Sequence, residues 1–159
     1  MTKTKVLFVC LGNICRSPLA EAIFKHKIKQ RKIEALFEAD SCGTSNYHIG
    51  EPPDARTVQN ASRNGVSIQH AGRQLMETDL ETFDYIMAMD ENNYKNIFRL
   101  PNAKKHEDKI GLMRFYDPDE KGGEVPDPYY GGEQGFQEVF DILDRSIDNF
   151  LDRLQERQN

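Results

Sequence analysis

The chain has 159 residues, 38% of them hydrophobic and 30% charged, with a formal net charge of −5. That length suits a single domain over residues 1–159, and the composition is too apolar for a disordered polymer. The acidic balance does not favour nucleic acid, so an anion site has to be built locally. The longest apolar runs are too short to span a bilayer. Met1 to Lys5 lead into a strand-like run without a signal peptide's apolar stretch. A cytoplasmic protein with no membrane partner is expected, and a monomer is the default. Three cysteines, Cys10, Cys15 and Cys42, argue against a disulfide scaffold.

In chain order, residues 5–10 form a continuous apolar run, as in a strand buried on both faces. Ser17 before Pro18 reads as an N-cap with proline at the first helical position. The helix that follows carries Ala20, Ile23, Phe24, Lys27 and Ile28 on one face. Residues 36–41 suit a second strand, and 53–64 a helix stopped by Gly65. Residues 84–89 suit a third strand, after which Asp90 caps a helix running to about Arg99. Residues 110–113 are a short fourth strand, and 116–132, rich in Pro, Gly and Asp, a long loop. The last helix is the clearest, with Phe136, Val139, Phe140, Leu143, Ile147, Phe150, Leu151 and Leu154 on one stripe. Alternating strands and helices predict an α/β fold: a parallel sheet with helices on both faces, binding ligand outside the carboxyl ends of its strands.

The first such end is Cys10, in Cys10-Leu-Gly-Asn-Ile-Cys-Arg16-Ser17-Pro18. A strand delivers Cys10, five residues turn, and Arg16 and Ser17 open a helix. Backbone N–H groups of such a turn converge on one point, and the helix N-terminus adds its positive end, which suits an anion of phosphate size. Gly12 and Asn13 tolerate the left-handed backbone of a tight loop. A thiol in that field loses its proton more readily than a free one and becomes a nucleophile. Arg16 is placed to hold two phosphoryl oxygens in a fork, and Ser17 to donate its hydroxyl to the sulfur. The competing reading of Cys10 is a buried structural cysteine. The loop lacks the Gly-Lys-Ser/Thr of an ATP-binding loop and the glycine triplet of a dinucleotide site. No Cys-x2-Cys or paired His suggests zinc, so no metal is expected.

Two segments, Val9-Cys-Leu-Gly-Asn-Ile-Cys-Arg-Ser-Pro18 and Val125-Pro-Asp-Pro-Tyr-Tyr130, give the chain a resemblance to the low-molecular-weight protein tyrosine phosphatases. Length and the alternating pattern extend the likeness over nearly the whole chain. The resemblance implies a three-layer sandwich with a four-stranded parallel sheet and no metal or organic cofactor. It implies hydrolysis of phosphotyrosine in a protein substrate through a cysteinyl phosphate, and inhibition by phosphate and other oxyanions. Cys10 would be the nucleophile and Arg16 the phosphate binder, within a phosphate loop of Leu11, Gly12, Asn13, Ile14, Cys15, Arg16 and Ser17.

Asp127 would be the general acid. Chemistry supports this separately, because a phenolate leaves poorly near neutral pH unless an acid opposite the nucleophile protonates it. Its other reading is a turn aspartate between Pro126 and Pro128. The resemblance also puts Tyr129 and Tyr130 on one cleft wall, where they can themselves be phosphorylated, and Tyr47 on the opposite wall. Asn13, Ser17, Ser41 and His70 match positions that hold the loop in shape by hydrogen bonds. Cys15 matches a cysteine that forms a reversible disulfide with the nucleophile and protects it from over-oxidation. Asp90 stands at a strand end near the mouth, with helix capping as its simpler role.

Three other readings compete with this one. Thioredoxin-coupled arsenate reductases share the first loop but need late cysteines, and none follows Cys42. Phosphoarginine phosphatases typically carry threonine where Ile14 stands, whereas isoleucine suits an aryl ring. A non-enzymatic phosphotyrosine-binding module would need neither nucleophile nor acid.

Overall fold

The apolar run at the start forms β1 (Thr4–Cys10), and its side chains alternate between two cores. Val6, Phe8 and Cys10 face one side of the sheet and Leu7 and Val9 the other. A strand covered on both faces shows no polar alternation, which explains the unbroken run. The computed structural model describes residues 2–129 and 131–158. Its four strands, β1, β2 (Phe37–Gly43), β3 (Tyr85–Ala88) and β4 (Ile110–Leu112), are all parallel and ordered β2-β1-β3-β4. The helices α1 (Arg16–Gln30), α2 (Ala55–Arg63) and α5 (Gly132–Gln158) cover one face. On the other lie α3 (Glu77–Thr82) and α4 (Glu91–Ile97). This is the expected three-layer architecture. No helix among the described residues is long and apolar enough to cross a membrane.

The apolar stripe of α5 is buried along its length. Its Phe150 meets Phe24, Tyr85 and Tyr116, and Phe24 in turn meets Phe8 and Phe37. The strand order decides where a ligand can enter. Chain leaving β1 crosses to β2 on one side, and the sheet then grows through β3 on the other. A crevice therefore opens outside the carboxyl ends of β1 and β3, and Cys10 ends β1.

The structure departs from expectation at several points. Ser17 is not the N-cap of α1: the helix starts at Arg16, its N-cap residue is Cys15, and that residue makes no side-chain cap. Pro18 is thus the third helical residue, tolerated because first-turn N–H groups have no intrahelical partner anyway. The hydroxyl of Ser17 is instead committed to the loop before the helix. The helix is also buried on more than one face, since Leu19, Glu21 and Ala22 are enclosed along with the predicted stripe. Finally, α3 and a 3-10 stretch over Ala103–Lys109 occupy segments that carry no periodic apolar signal. Pro53 lies outside α2, which Asp54 caps by accepting from the Arg56 N–H at 2.9 Å.

The loop that carries Asp127 is anchored at its base. Asp117, whose side chain is inaccessible, accepts from Arg114 Nε at 2.7 Å and from Arg145 Nε at 2.8 Å and Nη2 at 3.1 Å. Burial opposes its charge, but the two guanidinium groups more than offset this and hold its carboxyl well below the usual range. Such a depressed group stabilises the fold above its unfolded pKa of about 3.9, and that contribution fades as pH falls toward the folded value. Asp117→Asn is expected to cost about 3 kcal/mol at neutral pH, because it leaves two cations without their carboxylate. In urea unfolding the gap from the parent should narrow below about pH 4; a gap independent of pH would assign the loss to packing instead.

Candidate active site

Residues 11–15 connect β1 to α1 in a loop that turns on Asn13, whose φ is 57°. Asparagine tolerates that left-handed conformation. The end of β2 clamps the same loop. Thr44 N–H donates to Cys10 O at 2.9 Å, and Ser45 donates to Leu11 O through its N–H at 3.0 Å and its hydroxyl at 2.9 Å. The approach is so close that a Cβ on Gly43 would stand 2.6 Å from Leu11 O and 3.2 Å from Asn13 N. Gly43→Ala is therefore expected to shift the loop, to lower the thermal transition and to lower kcat/KM for p-nitrophenyl phosphate by about 10²-fold. Unchanged kinetics would show that loop geometry is not critical.

The sulfur of Cys10 receives two polar contacts. Asn13 N–H donates to it at 3.3 Å, and Ser17 Oγ lies 2.9 Å away. Asn13 Nδ2 donates to Ser17 Oγ at 2.8 Å and to Ser41 Oγ at 3.1 Å. Ser17 Oγ therefore already accepts a hydrogen bond, and its own proton can turn to the sulfur or to Cys42 O, 3.3 Å away. The amide oxygen of Asn13 accepts from Arg73 N–H at 3.1 Å and lies 2.7 Å from His70 Nε2. The other His70 nitrogen, Nδ1, stands 3.2 Å from Glu21 Oε1, and Ser41 Oγ donates to the same oxygen at 2.7 Å. Burial works against the charge of Glu21, yet His70, Lys25 and Ser41 together lower its pKa. The four predicted supports Asn13, Ser17, Ser41 and His70 thus form one connected network behind the sulfur.

Arg16 is 3% exposed. Its Nη1 donates to Asp90 Oδ2 at 2.8 Å and to Val125 O at 3.0 Å. Burial disfavours its charge, but the Cys10 sulfur and the Asp90 carboxylate raise its pKa above the ordinary value. Asp90 fills both roles read from its position, since its Oδ1 also accepts from Asn93 N–H at 2.8 Å and caps α4. Val125 N–H donates to Met89 O at 2.9 Å, so the stem of the acid-bearing loop is tied to both β3 and Arg16.

Cys10, Arg16 and Asp127 line one pocket of about 200 Å³, with Leu11, Gly12, Ile14 and Cys15 of the loop and with Tyr47 and Tyr129 at its sides. Asp127 is exposed, and its Oδ1 accepts from Tyr129 N–H at 3.0 Å. It is therefore a turn aspartate that also lines the pocket. Tyr129 packs on the Arg56 guanidinium, 5.2 Å from its ring centre. Tyr47 is 69% exposed at the rim. Tyr130, the other expected wall residue, lies outside the described residues. The thiol of Cys15 is buried, which pushes its pKa up to about 12.

The sequence reading missed His48, Gly43 and Arg73. His48 lines the pocket, paired with Glu51 at 2.8 Å. Nothing local marks it, because its place follows from how the loop after β2 folds back over Gly12. Glu21, Asp40 and His70 bring ligand-type atoms within 4.8 Å of one another. These acids are already paired with Lys25 at 2.6 Å and Arg73 at 2.9 Å, a use that argues against a cation there. A larger cleft of about 560 Å³, beside β4, shares no residue with the Cys10 pocket.

Comparison with known proteins agrees with this geometry. A low molecular weight phosphotyrosine protein phosphatase from Gallus gallus is 44% identical over 149 residues, covering 93% of this chain and 94% of its own. A crystal structure of a protein tyrosine phosphatase from Entamoeba histolytica superposes with a TM-score of 0.93 at 40% identity, covering 99% of this chain and all of that one. A Drosophila arginine phosphatase superposes with a TM-score of 0.85 at 35% identity, covering 95% of this chain and 98% of its own. The profile of one family matches residues 5–159, and with these relatives it shows that the chain belongs to the low molecular weight phosphotyrosine protein phosphatases.

Proposed function

We propose that this chain hydrolyses phosphotyrosine in protein substrates, with Cys10 as nucleophile, Arg16 as phosphate clamp and Asp127 as acid and then base. The reading rests on one observation above the others: these three side chains, drawn from the end of β1, the start of α1 and the loop before α5, line the same pocket. Phosphate oxygens are held by the loop amides and Arg16. The Cys10 sulfur attacks phosphorus in line with the ester oxygen. As the S–P bond forms and the P–O bond breaks, the Asp127 proton passes to the departing phenolate. Ionised Asp127 then takes a proton from water, whose oxygen attacks phosphorus and releases phosphate and the Cys10 thiolate. Ser17 donates to that sulfur whenever it carries the charge.

Tyr47 and Tyr129 present ring faces to the substrate ring, and Ile14 offers it an apolar floor where a hydroxyl would suit a guanidine leaving group better. Cys15 is the proposed protector of an oxidised Cys10. Its raised pKa keeps it a thiol at neutral pH, so disulfide closure should accelerate with pH. The test of function is a panel of phosphotyrosine, phosphoserine and phosphoarginine peptides, with arsenate plus thioredoxin. Phosphotyrosine is expected to have the highest kcat/KM, with vanadate competing. Preferred turnover of phosphoarginine would transfer the assignment to the activity of the Drosophila neighbour.

A further inference from the structure

Beside the phosphate pocket lies a second recess of about 300 Å³ that shares two of its residues, Leu11 and Tyr47. These two side chains form a ridge, with the reacting sulfur on one side and the recess on the other. Both are exposed, at 40% and 69%. The recess is walled by Thr44 and Ser45 from the chain leaving β2, by Asn96 and Arg99 from the end of α4 and just beyond it, and by Gln74, with Leu75 and Leu100 as its apolar part. Its lining contains no carboxylate among the described residues. Arg99 is exposed and, like Arg153 and Arg157 at the far end of α5, makes no ion pair among those residues; of these three only Arg99 lines a recess beside the phosphate pocket. In a chain of net charge −5, this places an uncompensated positive charge in a recess without carboxylates next to an anion site.

We propose that this recess is a second substrate subsite, holding an aspartate or glutamate side chain within three residues of the phosphotyrosine, with Arg99 as the specificity-determining residue. The proposal rests on the phosphotyrosine reading above and adds a peptide preference to it. An extended peptide advances about 3.3 Å per residue. With the phosphorylated ring between Tyr47 and Tyr129, a neighbouring residue crosses the ridge of Leu11 and Tyr47 and brings its side chain to the recess. The guanidinium fork matches a carboxylate with two parallel N–H···O bonds. Because Arg99 is exposed, the gain is modest and screened by salt: roughly threefold to tenfold in kcat/KM at low ionic strength.

The experiment is a set of phosphotyrosine peptides with Asp, Ala or Lys at each of the three positions on either side, assayed with the parent, Arg99→Ala and Arg99→Glu. p-Nitrophenyl phosphate, too small to cross the ridge, is the control and should be unchanged within about twofold. The parent is expected to prefer Asp at one or more positions, Arg99→Ala to lose that preference and Arg99→Glu to turn it toward Lys. A parent that does not distinguish Asp from Ala, or variants that keep its preference, would overturn the subsite. A parent that hydrolyses p-nitrophenyl phosphate but no phosphotyrosine peptide would overturn the phosphotyrosine reading and the subsite together.

Discussion

Cys10→Ser is expected to cut turnover of p-nitrophenyl phosphate by ~10⁴-fold or more while leaving the fold and phosphate binding in place. Serine is close in size, and its hydroxyl can keep the contacts from Asn13 N–H and Ser17 that now reach the sulfur. The loop amides and Arg16 are untouched, so inorganic phosphate should still bind. What is lost is the nucleophile: a hydroxyl in this setting has no neighbouring base to take its proton, because Ser17 and Asn13 only donate or share hydrogen bonds. Paired measurements of turnover and of phosphate affinity by calorimetry separate the two roles. Retained turnover would remove Cys10 from the chemistry, and lost phosphate binding would mean that the substitution collapsed the loop.

Asp127→Ala should act on the leaving group. For phenolic esters, whose leaving oxygen has a pKa near 10, kcat/KM is expected to fall by about 10²–10⁴-fold. For aryl esters whose leaving groups are stable as anions at neutral pH, the fall should be slight. The ratio kcat/KM extends only through the first irreversible step, transfer to Cys10, so it isolates the acid role from the later base role. A plot of log kcat/KM against leaving-group pKa should therefore be markedly steeper for the variant. Parallel plots would leave Asp127 as the turn residue that its bond to Tyr129 N–H also makes it.

The sheet and its principal helices are readable from sequence where burial leaves a pattern, as in the apolar β1 and the single stripe of α5. Short elements such as α3, whose one apolar residue is Leu80, fold because Leu80 and the following Phe83 find the core beneath β1 and β3, which no local window contains. The site divides in the same way. Cys10, Arg16 and Ser17 are adjacent in the chain, and their spacing carries the chemistry. Ser17 also shows how a local rule misleads: the Ser-Pro pair suits a helix start at Ser17, but α1 begins at Arg16, and the Ser17 hydroxyl is held within the loop by Cys10 Sγ at 2.9 Å and Asn13 Nδ2 at 2.8 Å. The placements of Gly43, His48 and Arg99 depend on how distant loops meet, so the sequence alone did not mark them. Asn13 was marked by its backbone tolerance, but its side-chain role, like Ser41 and His70, was named only through resemblance, and their connection appears once β2 is laid against β1.

The central claim is that phosphate passes through the sulfur of Cys10, and trapping that intermediate tests it most directly. In Asp127→Ala, supplied with an aryl phosphate whose leaving group needs no acid, transfer to sulfur should proceed while hydrolysis, deprived of its base, lags. Acid quenching followed by peptide mass analysis should then find one phosphoryl group on the peptide bearing Cys10, absent when Cys10→Ser is added. Continued turnover with no covalent phosphate, or with the phosphate on any other residue, would contradict the mechanism.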